Sequence, residues 1–319
     1  MTPPGTTMRA AQFDRAGGLE VLRVRTLPIP TARPGRLVVK VRAAGVNPSD
    51  ITSRRSRWPR LPRGTCSDFS GEITEAGPGA GDLHPGQPVW GWLGPFALTR
   101  STGAAADYVE VEYDRVAPAP VTVPLRDAAA LPLVGLTALH ALRDVVRLRP
   151  GQRLLVVGAG GGVGTAAIQL AKAMGADVTA VAGSAKHALC RELGADRVID
   201  HAAPAPAVRV RDHDALLACH GAGLRTHLDR LHRTARAAVL PARSFPYAIA
   251  SSLLPGPRVR ISAARPLRHD LEELAEHVDS GTLRPVIDQI HALESVQEAH
   301  RAVETGHTRG KHIIDLALT

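Results

Sequence analysis

The sequence predicts an α/β protein. A doubly wound parallel sheet domain occupies the middle of the chain, and a mainly β domain is assembled from the two chain ends. Three observations point there. The apolar run 153–157 leads straight into Gly158-Ala159-Gly160-Gly161-Gly162-Val163-Gly164, and a helical pattern follows at once. Strand and helix patterns then alternate, the rhythm of parallel strands joined by right-handed crossovers. The first third of the chain reads instead as short β-branched segments between turns such as Pro78-Gly79 and Pro85-Gly86.

In chain order, residues 1–7 are short and polar with two prolines and read as a flexible tail. No apolar segment of a secretory signal follows them, so a cytoplasmic location is expected. Residues 36–43 (RLVVKVRA) alternate and are rich in β-branched side chains, as a strand requires, and 68–76 and 107–111 are similar. Between them, 54–63 is a basic, proline-containing loop with Arg54, Arg55, Arg57, Arg60 and Arg63. Residues 127–145 are Ala- and Leu-rich and helical.

After Arg153 the strand 153–157 is a continuous apolar run, of the kind buried on both faces. The helix after the glycines places Val163, Ala167, Leu170, Ala171 and Met174 at helical period, and Gly175 ends it. A strand at 177–181, a helix at 185–193 ended by Gly194, and a strand at 197–199 follow. Residues 215–218 and 237–240 are later strands of the same sheet. The tail holds helices at 271–279 and 293–305 and strands at 286–287 and 312–316. The boundaries are thus 8–122 with 264–319 for one domain and 123–263 for the other.

The 319 residues are ample for a large core, and 44% hydrophobic with 22% charged residues is the balance of a globular protein. No apolar run reaches the roughly 18 to 20 residues that span a bilayer, so no membrane partner is expected. Cys66, Cys190 and Cys219 are odd in number and far apart, which excludes a disulfide framework and a four-cysteine zinc site. The net charge is +9. The arginines behind it are scattered and not interleaved with aromatics, so nucleic acid is not expected either.

A glycine-rich turn between a buried strand and a helix is an anion site. Glycine lets the backbone approach a pyrophosphate, and the helix start presents free N–H groups. Here Gly158, Gly161 and Gly164 are spaced by threes, a variant of the dinucleotide fingerprint, in the strand-turn-helix context the motif needs. NAD sites usually carry an acid about 20 residues on. No acid occurs from Val178 to Arg191, whereas Ser184 and Lys186 offer charge-assisted bonds to a 2′-phosphate. NADPH is the expected cofactor.

A further series of residues carries a resemblance. Ala44-Gly45-Val46-Asn47-Pro48-Ser49-Asp50, Asp68-Phe69-Ser70-Gly71, 129–138 (AALPLVGLTA), the glycine turn, Leu193-Gly194-Ala195-Asp196 and Gly310-Lys311 occur in this order. Over about residues 8–316 the chain resembles the medium-chain dehydrogenase/reductase superfamily. Within it, the chain resembles the zinc-free quinone oxidoreductase (zeta-crystallin-like) and enoyl reductase branch. The resemblance implies a GroES-like catalytic domain, a Rossmann cofactor domain, hydride transfer from NADPH in the cleft between them, and a homodimer through the Rossmann domains. Zinc-dependent relatives have a cysteine where Asn47 stands, so no metal is expected.

Position by position, the resemblance implies roles for individual residues. Asn47 lies near the nicotinamide ribose and substrate, and Thr137 on the nicotinamide side. Gly158, Gly160, Gly161, Gly162, Val163 and Gly164 form the pyrophosphate turn. Ser184 and Lys186 take the 2′-phosphate, and His201 stands where relatives often have a tyrosine beside the adenosine phosphate. Leu240, at the end of a late strand, joins the cofactor set, and Lys311 is the cation near the C-terminus. Some relatives use a tyrosine acid in the loop after the Asn-Pro pair. Here 51–63 holds none, and Trp58, which stands near that place, is a poor acid. A quinone, whose reduced anion is stable, fits a site without an acid.

The expected function is therefore NADPH-dependent reduction of a quinone or α,β-unsaturated ketone. An enoyl reductase tailoring a polyketide-like intermediate is the alternative, and a non-catalytic NADPH-binding or RNA-binding homologue is the alternative of another class. Three departures mark a specialised member. Thr65-Cys66 replaces Pro-Gly, Gln87-Pro88 replaces Asp-Arg, and Ala218-Cys219-His220-Gly221 replaces Asp-x-Val-Gly.

Overall fold

The computed structural model describes residues 6–56, 62–94, 102–202, 212–220, 223–240, 249, 251 and 256–318. The chain divides into two compact units, Met1–Leu133 with Arg265–Thr319, and Val134–Ala264. The first crossing falls later than the 122/123 read from the sequence. The short helix Leu125–Ala128 stays with the first unit, where Ser70 Oγ donates to Leu125 O (2.5 Å) and the Leu133 N–H donates to Asp68 Oδ1 (2.8 Å).

The second unit is built on six parallel strands. Their spatial order is Arg197–Asp200, Asp177–Ala182, Arg153–Val157, His213–Ala218, Leu231–Val239 and Arg258–Ile261. Counted along the chain this is 3-2-1-4-5-6, the doubly wound order of dinucleotide-binding domains. The central strand Arg153–Val157 lies between the second and fourth, with Val157 opposite Val181 on one side and Ala218 on the other. Leu155, Val157, Val181, Leu216, Ala218 and Val239 are buried in one core. Full burial of each Val or Leu stabilises by about 1.5–3 kcal/mol. The helix Gly162–Ala173 packs on the sheet, and Gly175 (φ +76°) stops it.

The first unit holds a seven-stranded sheet and a three-stranded one. The long strand Arg36–Val46 runs antiparallel to Asp68–Ala76, Tyr108–Glu112 and Lys311–Asp315. Its register sets Gly45 opposite Asp68 and Val46 opposite His312. Three distant stretches of sequence therefore meet at the end of one strand. Leu37, Val39, Phe69, Ile73 and Val89 form the core around it.

Several expectations change. Thr6 and Thr7 do not belong to the flexible tail expected over 1–7, because Thr7 begins the strand Thr7–Phe13, with Thr7 opposite Pro28 and Thr6 O accepting the Ile29 N–H (3.0 Å). The helix expected over 127–145 is broken, because Pro132 cannot continue a helix and instead starts Pro132–His140. Arg54 and Arg63 do not belong to a solvated loop. Arg54 lies in the helix Pro48–Arg55 and is wholly enclosed, paired with Glu304, while Arg63 is buried with its guanidinium 5.9 Å from the Phe13 ring centroid. Arg57 and Arg60 lie outside the described residues. Among the described residues, no helix is long and apolar enough to cross a membrane.

Candidate active site

In the first unit the strand Arg36–Val46 ends at Val46, and Asn47 caps the helix Pro48–Arg55. Proline at the first helical position fixes the backbone angle, and Asp50 supplies the acid half of a capping box, accepting the Asn47 N–H at 2.7 Å. Asn47 Nδ2 donates to Asp68 Oδ2 (2.8 Å) and Gly45 O (3.3 Å). Lys311 Nζ donates to Asn47 Oδ1 (2.5 Å), Val46 O (2.9 Å) and Asp68 Oδ2 (3.2 Å). Both amide hydrogens of Asn47 and all three ammonium hydrogens of Lys311 are thus committed. Asn47, Asp68 and Lys311 are all buried. Their cohesion follows from that burial, since an unpaired charge there would carry its full desolvation cost.

Burial pushes the Asp50 carboxyl up to about 7, against the Asn47 N–H and Lys311, which favour its charged form. Cys66 sits beside it at φ +63°, in the left-handed region where a glycine is at ease. Burial, and then Asp50, push its thiol well above the usual range, so it is not a ready nucleophile. Thr65, the other half of that departure, bonds His300 Nε2 through Oγ1 at 2.9 Å.

In the second unit the glycine turn lies where the first and fourth strands are neighbours, the switch point at which such sheets bind ligands. Gly158 takes φ +80°, and the Gly158 and Ala159 N–H groups both donate to Val181 O at 3.1 Å. A Cβ on Gly164 would collide with Gly158 O and the Ala159 backbone, so this glycine lets the helix pack onto the turn. A Cβ on Gly161 would meet only Gly158 O, at 3.6 Å, which leaves the outer side of the turn bare. The helix Gly162–Ala173 starts there, and its first N–H groups have no partners within the helix. A bare backbone at a helix start with no acid in its first turn fits a dinucleotide pyrophosphate.

The predicted cofactor residues of this unit assemble only in part. The Lys186 side chain packs against Gly160, and Ser184 opens the same short turn, Ser184–Lys186. His201 faces Gly183, whose added Cβ would be 3.2 Å from Cε1. Leu240 follows its strand, donating its N–H to Ala218 O (3.1 Å). Thr137 is buried in the helix Pro132–His140. Trp58 lies outside the described residues.

In the first unit, Asn47 and Lys311 meet directly, as one site would require. Asp68 and Asp50, which organise both, were not singled out from the sequence as site residues. The Asn47-x-x-Asp50 capping spacing signalled Asp50, but only strand register reveals Asp68. Among the described residues, no group of three or more His, Cys, Asp or Glu side chains is arranged to hold a metal ion.

Comparison with known proteins agrees with these features. A family model for the alcohol dehydrogenase GroES-like domain matches residues 33–121, and one for zinc-binding dehydrogenases matches residues 193–314. The chain is 31% identical over 359 residues to the NAD(P)H oxidoreductase RTN4IP1, mitochondrial, of Mus musculus, covering 98% of this chain and 90% of that one. The solved structure of the quinone oxidoreductase from Coxiella burnetii superposes with a TM-score of 0.86 at 30% identity, over 97% of this chain and 99% of that one. The spectinabilin polyketide synthase system protein NorB of Streptomyces orinoci is 37% identical over 205 residues, which is 61% of this chain and 9% of that one.

Proposed function

We propose that this oxidoreductase, which belongs to the medium-chain dehydrogenase/reductase superfamily and within it to the quinone oxidoreductase branch, transfers a hydride from NADPH to a quinone or an α,β-unsaturated ketone without zinc. The likeness to a relative named as an NAD(P)H oxidoreductase supports a nicotinamide cofactor. The preference for NADPH rests on Lys186 and Ser184 beside the glycine turn, where a cation and a hydroxyl favour a 2′-phosphate. The zinc-free reading rests on Asn47, which stands where zinc-dependent relatives carry a cysteine.

When bound, the reduced cofactor supplies a hydride. The chain's own residues hold and orient. The turn's N–H groups take the pyrophosphate, and the Asn47–Asp68–Lys311 knot forms a rigid, charged floor at the end of the long strand. The observation that carries the choice of acceptor is the saturation of that knot. Neither Asn47 nor Lys311 has a hydrogen left to give, and Asp50, which burial pushes up to about 7, is enclosed at 1% exposure. A hydroquinonate is a weak base and leaves without an enzyme acid, whereas an alkyl enolate calls for prompt protonation. A quinone therefore suits the site best.

The match to a polyketide synthase protein favours a second reading, an enoyl reductase acting on a polyketide-like intermediate. The test is dinucleotide oxidation by the purified chain, with NADPH and NADH each offered 1,4-naphthoquinone or a simple unsaturated ketone. Faster NADPH oxidation with the quinone supports the proposal. Turnover of the ketone alone refutes the argument from the saturated knot, and faster turnover with NADH refutes the cofactor choice.

A further inference from the structure

We infer that Gly160 is a specificity-determining residue for NADPH over NADH, because its bare backbone seats the stem of Lys186 on the glycine turn and so holds the ammonium ready for the 2′-phosphate. This rests on the cofactor reading above and adds a positioning residue to it. The three heavy atoms nearest to a Cβ built on Gly160 all belong to Lys186: Cδ, which it would strike first, Cβ at 2.9 Å and Cγ at 3.1 Å. The stem therefore lies along the Gly160 backbone over three successive carbons. Lys186 Cβ is bonded to the main chain, so rotating the tip of the lysine does not by itself make room for a side chain at 160.

Backbone conformation does not ask for glycine at this position. Gly158 has φ +80°, where a side chain is strained, whereas Gly160 takes no positive φ. What the position requires is space, and Lys186 fills that space. The glycines of the turn thus have different tasks. Gly164 lets the helix pack on the turn, Gly161 leaves an outer side bare, and Gly160 makes the bed for a side chain from the next strand's turn. The backbone of Lys186 is fixed separately, since its N–H donates to Gly183 O at 2.9 Å and closes the turn that Ser184 opens. With main chain and stem both held, the lysine is ordered before any ligand arrives, its apolar carbons lying on the turn. A lysine stem is otherwise flexible, and ordering it on binding subtracts from affinity. Immobilising one such side chain weakens binding by roughly two- to tenfold. NADH has no 2′-phosphate, so the loss falls on NADPH and shows in the ratio of the two affinities.

The experiment is titration calorimetry of the full chain with NADPH and with NADH, in a phosphate-free buffer at fixed pH and salt. Wild type, Gly160→Ala, Lys186→Gly and the double variant are compared. The readout is the Kd for NADH divided by the Kd for NADPH, in which any disturbance of the pyrophosphate turn common to both ligands cancels. Thermal melts of the same four proteins form a second cycle. Lys186→Gly removes all three carbons that a Cβ at 160 would meet, so the melting loss from Gly160→Ala should shrink in that background. Should Gly160→Ala alone fail to fold, the double variant is expected to fold.

Wild type is expected to show a ratio above one, Lys186→Gly to lower it, and Gly160→Ala to lower it by roughly two- to tenfold. In the Lys186→Gly background, Gly160→Ala should change the ratio no further. A Gly160→Ala protein that keeps the wild-type ratio, or that lowers it equally in both backgrounds, overturns the inference while the NADPH reading stands. A double variant that melts no better than the two single losses add up to, or that does not fold, overturns the packing on which it rests. A wild-type ratio of one or below, or a wild-type ratio kept by Lys186→Gly, overturns the cofactor reading itself, and this inference with it.

Discussion

Replacing Lys311 by Met tests whether the polar knot of the first unit is a buried ion pair or a loose surface contact. Met keeps most of the stem and removes the charge. The ammonium is buried at 5% exposure and Asp68 at 0%, so neither is relieved by water. Three hydrogen bonds vanish at once, to Val46 O, Asn47 Oδ1 and Asp68 Oδ2. Asp68 keeps two donors, Asn47 Nδ2 and the Leu133 N–H, but loses its cation. Breaking a buried pair by removing one partner costs about 3–5 kcal/mol.

The assay is urea unfolding followed by tryptophan fluorescence. Trp58, Trp90 and Trp92 are the three tryptophans of the chain, and all fall within Met1–Leu133, so the signal reports the first unit. The exposed Lys40, in the neighbouring strand Arg36–Val46, is the control, and Lys40→Met should stay within about 0.5 kcal/mol of wild type. Because the pair is enclosed, the Lys311→Met loss should persist at 1 M salt, where surface pairs are screened. A loss below about 1 kcal/mol, or one that disappears in salt, refutes the reasoning.

Two further outcomes follow from the packing. Gly164→Ala forces a Cβ into the Gly158 carbonyl and should destabilise the second unit by about 1–3 kcal/mol, as overpacking does. Gly161→Ala meets only Gly158 O at 3.6 Å, so it should melt like wild type yet bind NADPH more weakly. Equal melting temperatures for the two variants would refute this assignment of the glycines. His300, enclosed against Thr65 and Arg54, is pushed down to about 3 by burial and by Arg54. Its depressed value gives stability that is fully present above about pH 6.5 and is lost as the pH falls toward 3. The loss is about 1.4 kcal/mol per pH unit at most. His300→Gln should therefore flatten the acid limb of the stability curve measured by urea unfolding between pH 6 and 4, and parallel curves would refute it.

The sequence was most legible where local rules decide structure. The strand 153–157 was bounded correctly because an apolar run ended by glycines leaves little choice, and 68–76 because its β-branched and alternating pattern stops at turn residues. The strands Thr7–Phe13, Arg23–Pro28 and Pro88–Trp92 were not read, because each is held by pairing across the sheet and carries a weak pattern of its own. The basic segment misled for a related reason. Composition alone makes Arg54 a solvated residue, and only the distant Glu304 and His300 explain its enclosure.

By itself, then, the sequence determined the fold class and the glycine turn between strand and helix. These depend on residue type and on spacing within a few tens of positions, which a chain carries in one dimension. Tertiary structure alone decided how the site is wired. It brought Asp68 and Lys311 to Asn47 through the register of three strands, and it spent their hydrogens on one another. Hydrogen bonds and charge coupling act through distances of a few ångströms, and only folding brings residues more than 200 positions apart that close.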